Sequence, residues 1–138
     1  MRLLGVDFGS KRIGLATGET TSRLTTPLKT IQASGSLQKD AEKIKSISET
    51  QQTDFIVVGV PYALDGTIGA QAKICLLLVE KLQHLGLPVY TVDETLSSIE
   101  AEEASKEIGL RRATRRKIRD TESARIILER FFNEHQKI

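Results

Sequence analysis

Three carboxylates in this chain stand where a strand meets a turn or a helix. Asp7 ends the apolar run that starts at Leu3, Glu94 follows the run ending at Val92, and Asp120 opens the expected last helix. In parallel-type sheets the strand ends and adjoining helix starts on one side form the usual ligand crevice, so the three can converge there. Asp7 is the most telling, because a charge flanked by Leu3, Leu4, Val6 and Phe8 is costly to desolvate unless it is paired or bound to metal. Clustered carboxylates repel one another, and Mg²⁺ or Mn²⁺, with their preference for hard oxygen ligands, removes that repulsion. Such clusters support two-metal phosphodiester hydrolysis, in which one ion activates water and the other stabilises the leaving oxygen. Each acid also has a purely structural reading. Asp120 can be the N-cap of the last helix, Asp7 can pair with Lys11 or Arg12 across the first hairpin, and Glu94 can complement a helix dipole with Asp93 as the cap. The pattern alone leaves both readings open.

The basic residues point to an anionic partner. Six of the nine residues from Arg111 to Arg119 are basic (Arg111, Arg112, Arg115, Arg116, Lys117 and Arg119) and none is acidic. Removing these six from the 20 Lys and Arg leaves 14 basic groups against 18 acidic ones, a mildly acidic body with one concentrated basic segment. Nucleic acid is the leading partner for that distribution, and the segment is expected to be a mobile loop that contacts phosphates; a solvated loop is the alternative. Lys11 and Arg12, in the turn after Asp7, are candidate contacts of the same kind. With no Trp and with Phe131 and Phe132 assigned to the core, the chain lacks a base-stacking platform, so recognition by backbone and shape is expected. His84 and His135 have no partner at zinc-ligand spacing and are expected at the surface. Cys75 is expected to pack. There is no nucleophile elbow and no phosphate-binding glycine loop.

A length of 138 residues predicts one domain, residues 1–138, and 39% hydrophobic with 28% charged residues is ordinary for a globular chain. The longest apolar run, Ile74 to Val79, is far short of the roughly 18 residues a membrane-crossing helix needs. A carboxylate at Asp7 interrupts any signal-peptide core, so a cytoplasmic location is expected. Residues 1–7 and 13–17 predict a hairpin, and 23–31 predict a third strand that Pro27 places at an edge or a bulge. Ser36 is the predicted N-cap of a helix carrying Ala41, Ile44 and Ile47 inward. The apolar run from Phe55 to Val60 predicts an interior strand, Ile68 to Leu85 a helix closed by Gly86, Pro88 to Val92 a short strand, and Thr95 to Ile108 a helix closed by Gly109. Ala124, Ile127, Leu128, Phe131 and Phe132 recur at helical spacing and form the inner stripe of the last helix. Together these elements predict an α/β fold: a mixed sheet with an antiparallel opening meander, then parallel strands, and helices on both faces.

Val6-Asp7-Phe8-Gly9-Ser10-Lys11-Arg12-Ile13-Gly14-Leu15-Ala16 resembles the start of the YqgF family, Holliday junction resolvase-like proteins and bacterial pre-16S ribosomal RNA nucleases. Val57-Val58-Gly59-Val60-Pro61 with Asp65-Gly66-Thr67, then Asp93-Glu94-Thr95-Leu96-Ser97, then Asp120 with Ala124 and Ile126-Ile127-Leu128, are similar to its later motifs in the same order. The resemblance implies an RNase H-like fold with Asp7, Glu94 and Asp120 as the acidic triad. It also implies cytoplasmic nuclease activity in 16S rRNA 5′-end maturation. Ala63 stands where many members have Asn, Thr95 where Arg is frequent, and Arg119 where an apolar residue is common. The first two bear on substrate contacts, and none removes a metal ligand. The alternatives are a resolvase acting on branched DNA, an actin-like ATPase, disfavoured because such enzymes bind nucleotide between two domains, and a non-catalytic nucleic-acid-binding factor. No large apolar interface for a two-fold dimer is evident, so a monomer or weak dimer is expected.

Overall fold

A computed structural model describes residues 1–63, 65–94 and 112–135; of residues 112–117 it describes the backbone only. The opening run forms β1 (Arg2–Phe8), which pairs antiparallel with β2 (Arg12–Glu19), and β2 pairs antiparallel with β3 (Thr25–Gln32). Pro27 sits on β3 at a sheet edge, and the β2–β3 register shifts between Leu15 and Ala16, opposite that proline. Both roles expected of the proline are therefore present, since a residue without an N–H cannot sustain an interior ladder.

Ser36 caps α1 (Leu37–Thr50) by accepting from the Lys39 amide at 3.3 Å. α1 leads into β4 (Phe55–Val60), buried at every position, and α2 (Ala70–His84) leads into β5 (Val89–Asp93). The strand order is β3-β2-β1-β4-β5, with β4 parallel to both β1 and β5. The last described helix, α3, spans Arg112–Glu134. The helix expected over Thr95 to Ile108, and Gly109, lie outside the described residues.

Strand alternation divides the sheet into two unlike faces. Leu4, Val6 and Phe8 of β1, Ile13 and Leu15 of β2, and Ile56, Val58 and Val60 of β4 pack under α1 and α2 with Ile44, Cys75, Leu78 and Leu82. On the other face Leu3, Ala16, Phe55, Val57 and Val92 meet Ala124, Ile127, Leu128, Phe131 and Phe132 of α3. The predicted inner stripe of the last helix is thus buried throughout, each large member contributing roughly 1.5–3 kcal/mol. Helices on both faces of a mixed sheet are what the sequence pattern predicts.

Two local expectations fail. The segment from Arg112 to Arg119 is the first two turns of α3, where a loop was expected, and Asp120 lies in the third turn, so it neither opens the helix nor caps it. The reason is additive: Arg, Lys and Ala are good helix formers, no Gly or Pro interrupts 112–134, and like-charge repulsion of a few tenths of a kcal/mol per pair is outweighed by the buried stripe downstream. His135 is the second case. It is half-buried, its ring stacked on Phe131 at 4.2 Å, whereas His84 is exposed as expected.

Candidate active site

The α3 face carries the acids because β1 alternates. Asp7 is in phase with Leu3 and Gly5, facing α3, while its neighbours Val6 and Phe8 face the other way. Asp7 pairs across the ladder with Gly14 of β2, and a Cβ at Gly14 would overlap the Asp120 carbonyl oxygen. Only a glycine lets the helix backbone come this close, and that approach carries Asp120 to the end of β1. Gly59 of β4 does the same for the third acid, since a Cβ there would lie 2.9 Å from the Glu94 carboxyl carbon. Glu94 follows β5 directly, with its amide donating to the Val60 carbonyl at 3.2 Å.

The three carboxylates are electrostatically joined. Burial raises the Asp7 carboxyl above its ordinary range, and the charge of Asp120 pushes the same way. Side-chain hydrogen bonds with Glu94 and Ser123 and the charge of Arg119 pull it back. Glu94 is itself only 7% exposed. The negative potential reaches through the sheet: Cys75, buried under the opposite face, has its thiol pushed up to about 12 by burial first and then by Glu94 and Asp7. Cys75 therefore packs, as expected, and is no nucleophile.

Asp120 has a second partner. Arg12 Nε donates to its Oδ2 at 2.7 Å, so the hairpin arginine expected to pair with Asp7 or to face a phosphate pairs with Asp120. Lys11 is exposed in the same turn, and Arg119 is half-buried beside the acids. Arg112, Arg115, Arg116 and Lys117 lie on the helical backbone that runs into the site, whereas Thr95 and Arg111 fall outside the described residues.

Residues that sequence reasoning missed complete the surroundings. Ser123, one turn after Asp120 and 1% exposed, bonds Asp7; its i+3 spacing from Asp120 was the available signal. Gln71 at the start of α2 donates to the Phe8 carbonyl at 2.7 Å and fixes the strand end after Asp7. Arg130 donates to the Asp93 carbonyl at 2.9 Å, tying the residue before Glu94 to α3. Neither could be found without the fold, since each crosses more than 30 residues of chain.

A buried, mutually bonded carboxyl pair with a third carboxylate beside it is a hard-oxygen donor set that suits Mg²⁺ or Mn²⁺. Among the described residues, no three His, Cys, Asp or Glu side chains are grouped to hold one ion as they stand. Asp120 is engaged instead by Arg12.

Residues 1–134 match the model of the family described as Holliday junction resolvase RuvX. The chain is 34% identical over 140 residues to a Lachnospira eligens protein named "Putative pre-16S rRNA nuclease", covering 99% of this chain and 100% of the relative. It is 38% identical over 134 residues to a Coxiella burnetii protein of the same name, covering 96% and 93%. Among solved structures, Thermus thermophilus RuvC in complex with a Holliday junction substrate superposes with a TM-score of 0.60 at 16% identity, covering 99% of this chain and 97% of RuvC, a likeness of fold. With that family model spanning nearly all of the chain and relatives above 30% identity along its length, the protein belongs to the RuvX family, the one its motifs resemble under the name YqgF.

Proposed function

We propose that this protein is a metal-dependent nuclease of the cytoplasm that hydrolyses phosphodiester bonds in structured RNA, at the 5′ end of pre-16S rRNA. The observation that carries the reading is the hydrogen-bonded pair of Asp7 and Glu94 with Asp120 acting on the same charge, at the carboxyl ends of β1 and β5. The names of the Lachnospira and Coxiella relatives support the choice of RNA. Asp7, Glu94 and Asp120 are the residues that would hold Mg²⁺ or Mn²⁺, which supplies a Lewis acid and an activated water.

The chain's own contribution is placement and charge. Ser123 orients the Asp7 carboxyl, and Gln71 and Arg130 hold the backbone on either side of the acids. Lys11, Arg119 and the basic residues Arg111, Arg112, Arg115, Arg116 and Lys117 neutralise substrate phosphates near the scissile bond, a sequence-independent contact. Recognition by shape follows, because the exposed aromatic Tyr90 lies on β5 packed against Phe55 and Phe131, within a cluster that α3 closes.

The family description and the RuvC structure favour a second reading, cleavage of a four-way DNA junction. The deciding measurement offers, at equal protein and salt, a precursor RNA carrying the 5′ flank of 16S rRNA beside a mobile junction. Metal-dependent cleavage of the RNA is the expected result. Paired symmetric nicks in the junction with the RNA intact would restore the resolvase reading, and tight binding without cleavage of either would make the protein a binding factor.

A further inference from the structure

Arg12 occupies a place that the proposed chemistry does not require. Its contact with Asp120, at 2.7 Å, has the length of a charge-assisted hydrogen bond, with the two side chains 31% and 14% exposed. One role for it would be to position Asp120, yet the Asp120 backbone is already fixed. It packs on Gly14, where no Cβ fits, and it sits in the third turn of a helix whose next three turns are anchored by Ala124, Ile127, Leu128 and Phe131. What remains for Arg12 to control is the direction and charge of the carboxylate alone.

The guanidinium is also easy to displace. It reaches Asp120 from a partly exposed position at the start of β2, and ion pairs with such access to water are weak. A divalent cation offers Asp120 twice the charge and relieves its repulsion with Asp7, which an arginine bonded to Asp120 does only at a distance. Asp120 is engaged by Arg12 while Asp7 and Glu94 are engaged with each other.

We propose that Arg12 is a displaceable counter-ion of Asp120, which holds the third carboxylate neutralised until a divalent cation takes its place. This rests on the metal-site reading above. Arg12 thereby competes with the metal, so its removal strengthens metal binding, the opposite of what loss of a positioning residue does.

Calorimetric titration of Mn²⁺ into the wild type, Arg12→Gln, Arg12→Lys and Asp120→Asn, with circular dichroism to check each fold, tests this. Arg12→Gln is expected to bind Mn²⁺ about two- to fivefold more tightly than the wild type, and Arg12→Lys to stay near it. In the wild type, the Arg12 Nε–H resonance should leave its hydrogen-bonded position on saturation with Mg²⁺, a readout that needs no variant to fold. A folded Arg12→Gln that binds Mn²⁺ no more tightly, or an Nε–H signal unmoved at saturation, overturns the proposal while leaving the metal site standing. Asp120→Asn that binds Mn²⁺ as well as the wild type overturns the metal-site reading itself.

Discussion

The two faces of the sheet are built on opposite principles. Under α1 and α2 the sheet presents Leu4, Val6, Ile13, Leu15, Ile56 and Val58, bulky side chains that keep the helices at ordinary packing distance. Against α3 it presents Gly5, Gly14, Gly18 and Gly59, and a Cβ at the first, second or fourth would press within 3.0 Å of helix atoms or of Glu94. The first face supplies burial, and its one buried carboxylate among the described residues, Asp40 of α1, accepts from the Ser34 amide at 2.9 Å just past the end of β3. The second trades side-chain volume for proximity, and there Asp7 bonds Glu94 and feels the charge of Asp120. Cohesion and the proposed chemistry thus fall on different sides of one sheet, so equal changes in volume should have unequal consequences.

The largest effect should come from the acids. Asp7→Asn, Glu94→Gln and Asp120→Asn are each expected to lower cleavage at least about hundredfold with the fold intact, and chelation of the divalent ion should do the same. A single-turnover assay beside circular dichroism checks this. The next contrast sets one methyl group against another. Gly14→Ala should displace Asp120, cost on the order of 2–4 kcal/mol and abolish cleavage, because the added Cβ meets backbone that cannot move aside. Ile44→Val, on the opposite face, should cost about 0.5–1.5 kcal/mol in a denaturant melt and leave cleavage unchanged.

A pH dependence separates the faces more finely. Below the ordinary value of 3.8, Asp7 is protonated in both folded and unfolded chains and has no effect on stability. As pH rises toward its higher folded value, the unfolded chain releases the proton first and the metal-free protein loses stability. Metal-free Asp7→Asn should therefore melt above the wild type at neutral pH, with the gap closing below 3.8 and also on adding Mg²⁺ to the wild type. The smallest effect concerns the basic segment. Alanine at Arg111, Arg112, Arg115 and Arg116 should weaken binding of all sequences alike and flatten the salt dependence by about one unit of slope per lost phosphate contact. An unchanged slope would make the segment a solvated helix face.

What could be read from the sequence follows the same division. The core was legible because the continuous apolar runs of β1 and β4 and the caps at Ser36 and Gly86 are local signals, and the stripe on α3 has a helical period. Asp7 and Glu94 were legible as charges at the ends of apolar strands. Asp120 was identified but misplaced: its helix begins earlier, at Arg112, because basic residues with high helix propensity look like a loop when judged by charge alone. The pairing of Arg12 with Asp120, 108 residues away, has no local signature, and neither does the contact of Gly14 with the helix backbone. Both depend on where α3 crosses the sheet, which sequence spacing does not encode.

The most direct measurement is anomalous scattering from crystals soaked in Mn²⁺. A peak bounded by the carboxylates of Asp7, Glu94 and Asp120 is expected, with Arg12 released from Asp120. Crystals saturated with Mn²⁺ that show no peak between these acids, or one held elsewhere while Asp120 keeps Arg12, would contradict this.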